Sequence, residues 1–169
     1  QACADLRGVR WHMIGHLQSR KADQVLPTFA IVHSVDRWKI ARLLDEQAGR
    51  AGHPLPVLLE CNVSGEASKE GWDFSDRDAW ARRAAELLAV RDLANLSVMG
   101  LMTMAPIVED PELARPVFRR LRELRAFVQG SWPGLGPELS MGMTDDFEVA
   151  IEEGATLVRI GRAVFGDVV

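Results

Sequence analysis

A chain of 169 residues with 47% apolar and 26% charged residues allows one domain with a substantial core, in the ordinary composition of a soluble globular fold. The net charge of −4, with Lys and Arg scattered rather than striped, gives no basic field for nucleic acid. No apolar run nears the ~20 residues of a membrane helix and no signal-peptide pattern opens the chain, while Cys3 and Cys61 are too few for a disulfide framework and lack zinc-ligand spacing, so the expected compartment is the cytoplasm.

The chain starts at Gln1 and runs at once into Leu6-Arg7-Gly8-Val9-Arg10-Trp11, as though cut from something longer. Val9 to Ile14, closed by Gly15, is a first short strand, and Gln18 to Val25 a brief helix stopped by Pro27. Phe29 to His33 is compact and β-branched, the second strand. Asp36 then offers an N-cap to a helix running to about Ala48, with Ile40, Leu43, Leu44 and Ala48 on one face.

Pro56 to Val63, PVLLECNV, is apolar almost without alternation, which fits a strand covered on both faces of a parallel sheet. After the loop Ser64-Gly65-Glu66, Ser75 with Asp78 opens a helix to about Val90. Leu96 to Met104 is the fourth strand. A helix beginning near Pro116 turns Phe118, Leu121, Leu124 and Val128 inward and ends at Gly130. Leu139 to Gly142 is the fifth strand. Asp145 with Glu148 forms a capping pattern for a helix ended by Gly154. Leu157 to Ile160 is the sixth strand, and Ala163 to Phe165 begins a last helical turn.

Strand and helix alternate about six times over short connections, the pattern of a parallel α/β protein in a single domain over residues 1–169. No GxGxxG follows a strand, so a dinucleotide fold gains no support. A (β/α)8 barrel of the TIM type fits better, with two units fewer than closure requires.

In such barrels the chemistry lies at the C-terminal ends of the strands. Those ends carry His16, Ser34, Asn62, Thr103 with Met104, Ser140, and Arg159 with Gly161. Ser140 and Gly161 are either turn chemistry or an anion pocket, in which Gly161 admits backbone N–H groups and Arg162 adds charge. Arg159 interrupts an apolar strand, so its guanidinium needs either a ligand acceptor or a carboxylate such as Glu60. His12 and His16 are spaced i, i+4 but sit on a strand and turn, which favours packing or hydrogen bonding over metal binding. His33 reads as a satisfied core histidine and Cys61 as a small core residue.

Several of these stretches together resemble the pyridoxal phosphate homeostasis proteins. They are Trp11-His12-Met13-Ile14-Gly15-His16-Leu17-Gln18, Ser34-Val35-Asp36, and Asn62-Val63-Ser64-Gly65-Glu66 with Lys69 and Gly71. Gly100-Leu101-Met102-Thr103 and the block from Ser140-Met141-Gly142-Met143 to Phe165-Gly166 complete the match. The resemblance implies the barrel of the alanine racemase N-terminal domain and a pyridoxal 5′-phosphate (PLP) ligand, with related B6 vitamers as further ligands. It implies that Ser140 and the N–H groups at Gly161 and Arg162 bind the phosphate, that Arg159 faces the pyridine nitrogen, and that Asn62 and Met104 line the ring. It further implies a monomer for a complete member; the charge pattern and the lack of a long apolar run already speak against a nucleic-acid or membrane partner.

Two departures stand out. Arg162 replaces the small hydroxyl residue that usually follows Arg-Ile-Gly, and Thr144 replaces a common Ser. The family's Schiff-base lysine ends the first barrel strand, upstream of Trp11, and none of Lys21, Lys39 and Lys69 ends an apolar strand. The chain therefore reads as a truncated member lacking its first two strand–helix units, able to hold PLP non-covalently at best and prone to self-association. The expected role is PLP binding in homeostasis rather than turnover; the alternatives are a racemase-like PLP enzyme and an inert fragment.

Overall fold

The computed structural model describes residues 8–166. Cys3 and the stretch Leu6-Arg7 lie outside the described residues. The strands are β1 (His12–Met13), β2 (Ile31–Val35), β3 (Leu55–Asn62), β4 (Trp72–Asp73), β5 (Leu96–Met102), β6 (Glu138–Met143) and β7 (Leu157–Arg159). The helices are α1 (Trp38–Ala51), α2 (Trp80–Leu88), α3 (Arg115–Ser131), α4 (Phe147–Glu152) and α5 (Arg162–Phe165). Every strand pairing is parallel, in the order β1-β2-β3-β5-β6-β7, with the short β4 attached to β3.

All six predicted strands recur along this path. β1 covers only the centre of the predicted Val9–Ile14, and β4 falls where the sequence predicts no strand. It pairs with β3 over only Cys61–Trp72 and Asn62–Asp73, too few residues to carry a periodic signal. The predicted first helix is a 3-10 helix, Ser19–Gln24.

Two predicted caps differ from the structure. Asp36 does not cap α1, whose N-cap Arg37 makes no side-chain cap bond; the Asp36 carboxylate instead meets Arg37 and His16. Asp145 does not cap α4 but pairs with Arg162, while Asp146 turns back to accept the Met143 N–H at 2.6 Å. In both places a tertiary partner outcompetes the local backbone N–H groups. The cap at the entrance to α2 comes from Asp76, which accepts from the Asp78 N–H in a 3-10 turn, rather than from Ser75.

A strand presents alternate residues to opposite faces, and here the two faces differ in chemistry. The helix-side face packs Val32, Val57, Leu59, Leu101, Leu139 and Met141 against α1, α2 and α3, with Ile40, Leu44, Leu87, Phe118 and Leu121 fully buried. The opposite face holds a small apolar layer of Ile31, Leu58 and Met102, joined by Leu157. Two residues farther along three of those strands stand His33, Glu60 and Arg159. The inner face is therefore apolar first and polar toward the C-terminal ends of the strands.

Candidate functional site

That polar layer is a connected network. Arg159, at the end of β7 and 8% exposed, donates from Nη1 to Ser140 Oγ at 2.8 Å and from Nη2 to the Thr103 carbonyl at 2.9 Å. Ser140, fully buried on β6, also shares its hydroxyl with His33 Nδ1 at 2.9 Å. His33 Nε2 in turn meets His12 Nδ1 at 3.0 Å. The chain of contacts crosses the sheet from the β1 edge to the β7 edge. It depends on each residue sharing the inward parity of its strand, and on an irregular β6–β7 register between Ser140 and Met143.

Electrostatics sharpen the picture. Burial, then His12 and Arg159, push the His33 imidazole down to about 4, so His33 is neutral at pH 7 and holds a single ring N–H. Burial, then the Asp36 charge, raise the Glu60 carboxyl to about 7, with Arg159 opposing the rise. Glu60 and Arg159 sense each other, but no ion pair joins them among the described residues. The sequence alternative of a direct salt bridge gives way to neutral acceptors on Arg159. Its Nε is buried and has no hydrogen-bond partner among the described residues.

Past the C-terminal ends of β6 and β7 lies a cavity of about 360 Å³ bordered by Pro106, Met143, Thr144, Asp145, Gly161 and Arg162, among others, with neither Ser140 nor Arg159 in its lining. The Gly161 N–H donates to Thr144 Oγ1 at 3.3 Å, which brings a hydroxyl and a backbone donor together at the rim. Gly142 sets how closely α4 packs on the end of β6. Its φ is +92°, and a Cβ there would stand 2.6 Å from Ala150 Cβ and 3.0 Å from Phe147 Cα. Only glycine lets α4 press against the end of β6.

The sequence-expected residues thus divide. Ser140 and Arg159 meet directly, whereas Gly161 and Arg162 lie together at the cavity rim. Met104 packs against the inner apolar layer. Asn62 spends its amide on the Glu66 and Lys69 carbonyls and its Oδ1 on Gly65 N–H and Ser64, so it organises the loop between β3 and β4. Thr144, which the sequence marks only as a replacement for a common Ser, accepts from Gly161 at the rim; its place there depends on the β6–β7 pairing. His12 and His33 are the hydrogen-bonded and buried histidines that the sequence suggests. Cys61 is buried in the core, and burial pushes its thiol up.

The geometry has counterparts. Residues 5–168 match the family of the alanine racemase N-terminal domain. The chain is 42% identical over 167 residues to the pyridoxal phosphate homeostasis protein of Aquifex aeolicus, covering 99% of this chain and 70% of that one. The chain belongs to this family. Its likeness to the pyridoxal phosphate homeostasis protein of Pseudomonas aeruginosa is 46% identity over 159 residues, covering 94% of this chain and 64% of the relative. It therefore spans about two thirds of the length of such relatives. Among solved structures, PipY of Synechococcus elongatus with PLP bound superposes with a TM-score of 0.85 at 35% identity, covering 98% of this chain and 74% of that one. The fold is thus a parallel, curled part of the alanine racemase N-terminal barrel. No helix among the described residues is long and apolar enough to cross a membrane.

Proposed function

We propose that this chain binds pyridoxal 5′-phosphate at the β6–β7 end of the sheet and serves cytoplasmic PLP homeostasis, as the names of its relatives indicate for those proteins. The observation that carries the reading is Arg159. It is a buried cation fixed by two neutral oxygens, with Nε unpartnered among the described residues. Such a group favours an uncharged acceptor such as a pyridine nitrogen. The cavity at that end suits a small cofactor, and one structure of PipY, a solved relative, has PLP bound.

Bound PLP supplies an electron sink to the chemistry of an attached substrate. Arg159, a permanent cation, disfavours protonation of an adjacent ring nitrogen and so weakens that sink. This supports a binding and delivery role over carbanion chemistry. Thr144 Oγ1 and the Gly161 N–H are the phosphate donors we assign, with Arg162 adding charge once it leaves Asp145. Ser140, whose hydroxyl already serves Arg159 and His33, acts as the post that holds the guanidinium.

None of the three lysines borders the cavity at the β6–β7 end. Lys21 borders a second cavity beside Met13 and His16, Lys39 lies on α1, and Lys69 pairs with Glu66 at 3.6 Å. The test is a PLP titration followed by absorbance and protein fluorescence. Saturable, reversible binding without a lysine adduct is expected, weakened about tenfold or more by Arg159→Ala and less by Thr144→Ala, in line with the loss of a charged hydrogen bond against a neutral one. Equal affinity in wild type and Arg159→Ala would overturn the assignment.

A further inference from the structure

On the β1–β2 side of the same face, three side chains outside the proposed cofactor pocket converge. His16 follows β1, Asp36 follows β2, and Glu70 precedes β4. One potential ligand atom from each lies within 4.8 Å of the others. We propose that His16, Asp36 and Glu70 form a binding site for a divalent transition-metal ion.

Asp36 is the anchor. Its residue is 5% exposed, and its Oδ1 is buried without a hydrogen-bond partner among the described residues. A buried carboxylate oxygen left unmatched is costly and calls for a partner. The other oxygen, Oδ2, is held by Arg37 Nη1 at 2.5 Å, and Arg37 Nη2 also donates to the Leu17 carbonyl at 3.2 Å. Arg37 thereby fixes the carboxylate, as outer-shell partners fix metal ligands, and leaves Oδ1 available.

The His16 imidazole already sits against this carboxylate, with Nδ1 3.1 Å from Oδ2. Two ligands bound at about 2.1 Å to one tetrahedral ion stand about 3.4 Å apart, so an ion bound through Oδ1 asks the imidazole to swing across the carboxylate from the oxygen that Arg37 holds. Glu70 is exposed, so its side chain closes the remaining gap by rotation. An imidazole with two carboxylates favours a first-row ion such as Mn²⁺ or Zn²⁺ over Ca²⁺, and the exposed side leaves coordination positions to water. The i, i+4 spacing of His12 and His16 does not produce a metal pair. His12 turns to His33, and His16 finds its partners on other segments.

The experiment titrates the chain, free of B6 compounds, with Mn²⁺ by electron paramagnetic resonance and then adds Zn²⁺ in competition. One Mn²⁺ per chain is expected, displaced by Zn²⁺, with affinity reduced roughly tenfold or more in each of Asp36→Asn, Glu70→Gln and His16→Gln. Exposed Glu70→Gln keeps the fold intact even if Asp36→Asn does not, and circular dichroism checks both. Absence of saturable binding, or wild-type affinity in Glu70→Gln and His16→Gln, would reduce the cluster to an ion pair and overturn the proposal. Because no PLP is present, the result stands apart from the cofactor reading.

Discussion

The two faces of the sheet solve different problems with one set of strands. On the helix side, Val57, Leu59, Leu101 and Leu139 meet Ile40, Leu44, Phe118 and Leu121 in a dry core. On the inner face, a thin apolar layer gives way within two residues to His33, Glu60, Ser140 and Arg159, all buried. The first face gains stability by excluding water. The second gives up part of that gain to hold polar groups in fixed positions, and one guanidinium nitrogen stays unmatched. Stability and ligand binding are therefore separable by parity along a single strand.

The largest expected effect tests the helix side. Phe118→Ala, at a fully buried position of α3, should cost about 3–5 kcal/mol, read from denaturant unfolding, while PLP affinity per folded molecule stays unchanged. Loss of affinity at matched folded fraction would show that the faces are coupled. On the inner face, Ser140→Ala leaves Arg159 Nη1 and His33 Nδ1 short of a partner. It should cost about 1–3 kcal/mol and also weaken PLP binding, the double signature that Phe118→Ala lacks.

A subtler prediction concerns pH. The Glu60 carboxyl, raised by burial to about 7, holds its proton in the folded state above the range where the unfolded chain releases it. Its contribution to stability is complete below about 4.5 and declines as pH rises to about 7. Glu60→Gln should therefore raise the melting temperature at pH 8 relative to wild type and change it little at pH 4.5; an equal shift at both would disprove the titration. His33 runs oppositely. Lowered by burial to about 4, it lends stability above about 6.5 that is lost as pH falls toward 4, so His33→Gln should flatten the acid limb of the melting curve. The smallest effect is Arg42→Ala, which removes an exposed pair with Glu46 at 3.1 Å and should change stability by no more than about 0.5 kcal/mol.

Much of the fold was legible because it rests on local signals. The unbroken apolar run of β3 announced a strand buried on both faces, and Phe118, Leu121, Leu124 and Val128 marked the inward side of α3 at helical spacing. What escaped depends on pairing. Asp36 and Asp145 carry the chemistry of caps, yet His16 and Arg162, distant in sequence, meet their carboxylates instead. Ser140 stood out as a strand-end hydroxyl, but whether it faces a phosphate or a guanidinium turns on the β6–β7 register. Thr144 stood out only as a replacement for a common Ser; its contact with Gly161, 17 residues away, left no local trace. The convergence of His16, Asp36 and Glu70 was equally hidden, with each residue on a different segment.

Gly142 has a consequence for how this protein can vary. The position works as a spacer of fixed thickness between the end of β6 and α4, since the smallest added carbon would displace Ala150 or the Phe147 backbone. Moving α4 outward would carry Thr144 and its neighbours away from Gly161 and widen the rim of the cavity. Residue 142 therefore sets the calibre of the pocket without lining it, and a lineage that replaced this glycine would have to recut the pocket for a different ligand.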